Sequence, residues 1–377
     1  MVSKDFRIRG KDHLRLLIVT FDPPQNIGGV EGRVRGYVTE LSRKGIFVEV
    51  EAFAPGYAFT VEPFDGCRLH KCPSDSRRLA RSFRYTLRLV VGESIDSVFL
   101  LSGGITIFGN AMLLFSHLWG KRTAILLYGK DILQARKSRL GRALMFTAQL
   151  LTDRVVTNSR YTASLLPSYF QSKVSLLYPS INPGSQQEAG TKASHESEMI
   201  LFVGRLVRRK GADDLISAFH FLVRNHPAAR LEIVGDGPER TGLEKLAADL
   251  GLGEKVRFLG SLRGEALNER YRDCDVFVMP SRTLKDDVEG FGTVFLEAGL
   301  AGKPSVGTRS GGIPEAVVDG VTGILVEEAD IPGLASALGK ILEDTELRQR
   351  LGENARSHVL AQFTWERTGQ KLIDILS

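Results

Sequence analysis

Cysteine is scarce, with three residues in 377. That excludes a disulfide framework and points to a reducing compartment. Cys67 and Cys72 flank His70, but three candidate ligands at this spacing match no familiar zinc pattern, and no metal is expected there. Long apolar runs are lacking too. The longest uncharged stretch, Ser97 to Gly120, is broken by Ser102, Gly103, Gly104, Gly109, Asn110, Ser116 and His117. A buried strand followed by a buried helix explains it better than a membrane span. Met1 to Lys11 alternates charges with isolated apolar residues and has no apolar core of the kind a signal peptide needs, so a cytoplasmic location is expected. No short-period repeat is present, and no interleaved aromatic and basic motif supports nucleic-acid binding.

What remains is the composition of a folded protein, 43% hydrophobic and 25% charged, long enough for two domains. The net charge of +6 is unevenly spread. Met1 to Pro183 holds 26 Lys+Arg against 14 Asp+Glu, a surplus of 12; the remainder holds 24 against 30, a deficit of 6. Opposite signs suggest separate domains with separate partners. Short β-branched runs alternate with amphipathic helical stretches throughout, as parallel βαβ units require. In the first half, strands are expected at Leu14–Thr20, Phe47–Ala54, Val98–Leu101, Ala124–Tyr128 and Val155–Thr157. Helices are expected over Glu31–Lys44, Ser76–Val91 and Arg139–Leu151. The segment from Pro183 to Glu198 is almost free of apolar residues and reads as a linker. The pattern then restarts, with strands at Met199–Val203, Leu231–Val234, Val256–Leu259, Val276–Met279, Ser305–Thr308 and Gly323–Val326. The expected architecture is α/β: two doubly wound parallel-sheet domains, 1–183 and 184–362, facing a deep cleft. A terminal helix at 363–377 is expected to pack back towards the first domain.

The loop after the first strand of the second domain reads Gly204-Arg205-Leu206-Val207-Arg208-Arg209-Lys210-Gly211. Arg205 and Lys210 lie at a strand carboxyl end, where this architecture binds ligands, and suit a diphosphate. The most informative stretch is Glu289-Gly290-Phe291-Gly292-Thr293-Val294-Phe295-Leu296-Glu297. Its glycines admit a ligand close to the backbone, and a helix starting at Thr293 presents amides to an anion. Glu289 and Glu297 flank that anion site, placed to accept hydrogen bonds from sugar hydroxyls. Gly311-Gly312-Ile313-Pro314-Glu315 either lines the cleft or makes a tight turn. Asp236 is explained as a capping acid, and Asp273-Cys274-Asp275 as a helix-to-strand connection rather than a metal site. Gly28 and Gly29 form a loop beside the first strand but not the dinucleotide fingerprint. Arg77, Arg78, Arg81, Arg84 and Arg88 make a basic helix, and Arg136, Lys137, Arg139 and Arg142 a second cluster. Either could lie on an anionic membrane, and either could be a solvated face of a core-packing helix.

These motifs resemble those of the retaining nucleotide-sugar glycosyltransferases of glycosyltransferase family 4, which have the GT-B fold. The likeness spans nearly the whole chain and is strongest from Ile200 to Val326, in VGRLVRRKG, LEIVGDGP, VRFLG, the E-x7-E segment and GGIPEAV. It implies that Arg205 and Lys210 hold the donor diphosphate and that Glu289 contacts the donor sugar. It implies a ribose contact for Glu297 and a sugar and phosphate cradle at Phe291, Gly292, Thr293 and Val294, with Gly204 alongside. Leu262 falls at the nucleobase position, and Gly28 and Gly29 at the phosphate and acceptor loop. Many relatives have a histidine before glycine in one first-domain loop. Here Tyr128-Gly129-Lys130-Asp131 stands there, so an imidazole role does not carry over and Tyr128 becomes the candidate sugar contact.

The expected function is retaining, metal-independent transfer of a hexose, glucose from UDP-glucose, to a polysaccharide or polyprenyl-linked saccharide. No cofactor is expected, the nucleotide sugar being a co-substrate. An anionic membrane surface, the inner face of the plasma membrane, is the expected partner of the basic first half. The alternatives are a UDP-sugar 2-epimerase of the same architecture and, less well supported, a nucleic-acid-binding protein.

Overall fold

A computed structural model of the chain describes residues 14–21, 29–54, 57, 60–74, 79–92, 95–182 and 198–377. Gly28, Arg77, Arg78, the segment 1–13 and nearly all of the linker lie outside the described residues. The first sheet is built from β1 (Arg15–Thr20), β2 (Phe47–Ala54), β3 (Thr60–Phe64), β4 (Cys67–Pro73), β5 (Ser97–Leu100), β6 (Arg122–Leu127), β7 (Arg154–Thr157) and β8 (Val174–Leu176). They lie in the order β3-β4-β2-β1-β5-β6-β7-β8, parallel except for the β3–β4 pair. The run Leu16-Leu17-Ile18-Val19 shows why β1 is central. Leu16 and Ile18 enter the core on one face, and Leu17 and Val19 the core on the other.

Helices α1 (Gly29–Arg43), α2 (Leu79–Gly92), α3 (Ile107–Leu118), α4 (Gly129–Arg136), α5 (Arg139–Leu151) and α6 (Arg160–Ser164) complete the first unit. The second sheet holds β9 (Met199–Val203), β10 (Arg230–Val234), β11 (Val256–Gly260), β12 (Val276–Met279), β13 (Ser305–Thr308) and β14 (Gly323–Val326). All are parallel, in the order β11-β10-β9-β12-β13-β14. Around them pack α7 (Ala212–Leu222), α8 (Arg240–Asp249), α9 (Gly264–Asp273), α10 (Thr293–Leu300), α11 (Ile313–Ala316), α12 (Ile331–Glu343) and α13 (Thr345–Gln362). This is a GT-B fold.

The last helix, α14 (Trp365–Leu376), crosses back to the first unit. Leu372 and Leu376 are buried in its core, and the Trp365 ring meets Tyr37 edge-on at 5.2 Å. Gly36 makes room for that ring, since a Cβ there would lie 2.1 Å from it. Where the chain crosses, the Ile181 amide donates to the Phe363 carbonyl at 2.8 Å.

Two features differ from the sequence expectation. The first helix is described from Gly29 rather than near Glu31, so Gly29 lies within α1 and not in a preceding loop. The helix expected over Ser76–Val91 is described over Leu79–Gly92, its first expected residues lying outside the described ones. The hairpin β3–β4 was not anticipated, although Asp65-Gly66, both at positive φ, is the standard signal for a two-residue turn. Cys67 and Cys72 stand five apart on β4 and therefore face opposite sides of the sheet, packing into different cores. His70 instead bonds Glu49 at 2.9 Å and Tyr85 at 2.7 Å. Asp275 accepts from the Met199 amide at 2.9 Å, and Asp273 pairs with Arg270 at 3.4 Å. Both acids of the Asp273-Cys274-Asp275 motif thus have structural partners.

Candidate active site

Strand order reverses between β9 and β12, which opens a crevice at their carboxyl ends. Two loops meet there. The one leaving β9 passes Gly204 and an exposed Arg205, forms a short 3-10 turn over Arg208–Lys210 and turns at Gly211. Gly211 is left-handed at φ 68°, and a Cβ on it would sit 2.0 Å from the Pro280 carbonyl oxygen. Only glycine lets this loop close against the exit of β12. The closure carries Lys210 to the second loop, where its Nζ lies 2.6 Å from Glu289 Oε2 and 3.1 Å from Met279 Sδ.

Arg209 Nη1 lies 2.6 Å from the same Glu289 oxygen, and Arg209 Nε lies 3.1 Å from Asp287. Burial alone would raise the Glu289 carboxyl, but the charges and hydrogen bonds of Lys210 and Arg209 outweigh it and hold the group at about 2. Glu289 is therefore an anion near neutral pH, although only 9% exposed. Arg209 escaped the sequence reading because three consecutive bases gave no sign of which one turns inward.

Beyond Glu289 the chain enters α10 through Gly292, which offers no side-chain cap to the helix. Thr293 and Val294 open the helix, half-buried, and Phe291 is packed beside Tyr178 at 5.4 Å. One turn in, Glu297 accepts a hydrogen bond from the buried Tyr271 hydroxyl at 2.7 Å. Burial raises the Glu297 carboxyl, a shift opposed by that bond and by the Lys210 charge. Tyr271 lies on α9, and no local pattern marks it as the partner of Glu297. Leu262 is half-buried just past β11, two strands from β9. Asp236 accepts from the Gly237 amide at 2.7 Å and pairs with Arg240 at 3.4 Å, but α8 is entered through Glu239 without a side-chain cap, so Asp236 braces the turn and does not cap the helix.

Loops of the first unit close over this crevice. Tyr128 precedes α4, its amide donating to Asp131 at 3.1 Å and its ring facing the Arg33 guanidinium at 5.2 Å. A Cβ on the next residue, Gly129, would lie 2.9 Å from a Val288 methyl, so Tyr128-Gly129 abuts the Glu289 loop. Lys137 pairs with Asp286 across the units at 2.7 Å. The GGIPE segment does both things left open for it. Gly312 N donates to the Glu289 carbonyl at 2.9 Å, and Glu315 reaches the first unit. Its carboxylate accepts from the Arg160 and Tyr161 amides at 2.8 and 3.0 Å and from the Tyr178 hydroxyl at 2.9 Å.

The chain resembles known proteins in sequence and in fold. Residues 185–358 match the family described as glycosyl transferases group 1. The chain is 30% identical to the GDP-mannose-dependent alpha-(1-6)-phosphatidylinositol monomannoside mannosyltransferase of Mycolicibacterium smegmatis, covering 96% of this chain and 98% of the relative. The chain belongs to this glycosyltransferase family. It is accordingly a nucleotide-sugar-dependent hexosyltransferase, and the 2-epimerase reading gains no support. Among solved structures, the transferase superposes on sucrose-phosphate synthase from Thermosynechococcus elongatus with a TM-score of 0.76 at 20% identity, covering 96% of this chain and 98% of that one. Anabaena Alr3699/HepE in complex with UDP and glucose gives the same score and identity, covering 97% and 99%. At that identity both likenesses speak for the fold alone.

Proposed function

We propose that the transferase moves mannose from GDP-mannose to a lipid-linked saccharide or glycolipid acceptor, with retention of anomeric configuration and without a metal ion. The observation that carries this reading is the Lys210–Glu289–Arg209 cluster at the switch-point crevice, in front of the uncapped start of α10. Mannose from GDP-mannose is preferred to glucose from UDP-glucose because the relative that is 30% identical along nearly the full length carries that donor in its name. The same name supports a lipid-borne acceptor.

Cleaving the anomeric C–O bond develops positive charge on the sugar and negative charge on the departing diphosphate. Lys210, Arg205 and the amides of Thr293 and Val294 stabilise the leaving group. These donors are cationic or neutral, and Glu289 is already engaged by two cations, so among the described residues no cluster of acids suited to a divalent ion stands beside them. Glu289 aligns Lys210 before the donor arrives and presents its second oxygen to the hexose. Glu297 takes the ribose, Leu262 the base, and Tyr128 a sugar hydroxyl. The acceptor hydroxyl attacks the anomeric carbon from the face the diphosphate leaves, and its proton passes to the departing phosphate oxygen. Closure of the two units over the crevice excludes water.

Thermal denaturation with excess GDP, UDP and their sugars tests the donor. GDP and GDP-mannose are expected to raise the melting temperature by roughly 5 °C or more, and UDP far less. A rise with UDP alone would return the donor to UDP-glucose, and no rise with any nucleotide would overturn the site. Transfer undiminished by EDTA, with an α-linked product by NMR, tests the other two points.

A further inference from the structure

From Ser97 to Leu151 the chain carries seven Lys/Arg and a single acid, Asp131. Two helices of this stretch, α3 and α5, lie side by side, Thr147 Oγ1 donating to Asn110 Oδ1 at 2.6 Å. Their inner residues, Met112, Leu113, Met145 and Ala148, are buried in the core. Their outer faces are also apolar. Ile107, Leu114 and Leu118 recur on one stripe of α3, and Leu140, Phe146 and Leu150 project from α5; all six are exposed. Four of them, Ile107, Leu118, Leu140 and Leu150, are more than half exposed. Trp119 extends the patch at the end of α3. Arg136, Arg139 and Arg142 are exposed where α5 begins, beside Lys137 and its bridge to the second unit. The basic end of the face thus adjoins the cleft.

We propose that the outer face of α3 and α5 is the surface by which this protein sits on an anionic lipid bilayer. Apolar side chains insert at the headgroup boundary while the arginines at the start of α5 meet lipid phosphates, the arrangement that binds amphipathic helices to membranes. Charge complementarity selects this occupant. A second copy would bring the same apolar face and its Arg136, Arg139 and Arg142 cluster, with no acidic side chain on α3 or α5 to meet those arginines. The basic helix α2 is a weaker candidate, because its apolar side points inward. Phe83 meets Phe108 and Phe115 edge-on at 5.5 and 5.4 Å, leaving Arg84 and Arg88 as a solvated face. Docked this way, the cleft opens at the bilayer surface and takes an acceptor held there. Only this last point rests on the acceptor proposed above, since vesicle binding needs neither donor nor acceptor.

The test is co-sedimentation of the full chain with vesicles of phosphatidylcholine alone and of phosphatidylcholine with phosphatidylglycerol. The protein is expected to partition onto the mixed vesicles, less so in high salt. The Phe146→Ser/Leu150→Ser and Leu114→Ser/Leu118→Ser variants are expected to bind about tenfold or more weakly. Arg139→Glu/Arg142→Glu should lose binding to the mixed vesicles, and Arg84→Glu/Arg88→Glu should bind as the parent does. Circular dichroism and the nucleotide-induced melting shift show whether each variant is folded with an intact site. The proposal is overturned if the parent ignores anionic vesicles or if the face variants partition unchanged. It is equally overturned if sedimentation shows a dimer that these substitutions dissolve, for then a second copy covers the face.

Discussion

At the residue scale, two carboxylates answer to opposite forces. Glu289 is buried but gripped by two cations, and its carboxyl is held at about 2. A carboxyl lowered on folding adds stability that is present above its unfolded value and lost as pH falls through the folded one. The Glu289 contribution is therefore complete near neutrality and fades only between about pH 4.5 and 2. Glu289→Ala would strand Lys210 and Arg209 largely buried, a loss of about 3–5 kcal/mol measurable by denaturant melts. Lys210→Ala should slow transfer by roughly 10²–10³-fold in steady-state assays while leaving the fold intact.

Glu51, fully buried in β2, behaves the other way. Burial raises its carboxyl to about 8, with a Thr86 hydrogen bond opposing the shift and the Glu49 charge adding to it. The folded chain keeps this proton while the unfolded chain releases it, so stability falls as pH rises from about 4.5 to 8. Glu51→Gln should leave the melting temperature near pH 5 almost unchanged and raise it by roughly a few degrees at pH 8. A parallel shift at both pH values would mean that the carboxyl is not retained in its neutral form.

At the element scale, α11 and the GGIPE loop join the two units. Glu315 satisfies the first two amides of α6 across the cleft, while Gly312 holds the carbonyl of Glu289. One short helix and the turn before it therefore touch both the first unit and the Glu289 loop. Glu315→Ala removes three charge-assisted bonds and should cut kcat/KM about tenfold or more, with nucleotide affinity of the second unit nearly unchanged. Glu315→Gln keeps one acceptor oxygen and should recover part of the loss. Small-angle scattering should report a larger radius of gyration for the alanine variant. Unaltered scattering and kinetics would remove Glu315 from this role.

At the scale of the whole molecule, a chain that crosses twice between its units has its last helix as a strap. Trp365 sits in the space left by Gly36, and Leu372 and Leu376 complete a core whose other members lie hundreds of residues earlier. Trp365→Ala should cost the first unit about 3 kcal/mol, lowering its calorimetric transition while the second unit melts as before. A uniform shift of both transitions would show that the units unfold as one.

Much of this was legible from local pattern. β9 and β12 run over the residues their apolar runs indicate, because a central strand covered on both faces is written as a continuous apolar run. The start of α10 at Thr293 followed from glycine chemistry and helix periodicity. The short elements α4, α6 and β8 did not stand out, since a few residues carry too little periodicity.

What the sequence determined by itself was the alternation of strand and helix, the division of charge between the halves and the spacing of Glu289 from Glu297. Each is a property of neighbours along the chain. Only the tertiary structure decided that Arg209 joins Lys210 in gripping Glu289, that Tyr271 serves Glu297, and that Glu315 reaches the other unit. It also decided that α3 and α5 carry an exposed apolar face, while Phe83 of the basic helix α2 packs inward against α3. Those choices depend on which side chains the folded sheets bring within a few ångströms, and Coulomb attraction and burial act over that distance whatever the separation in sequence.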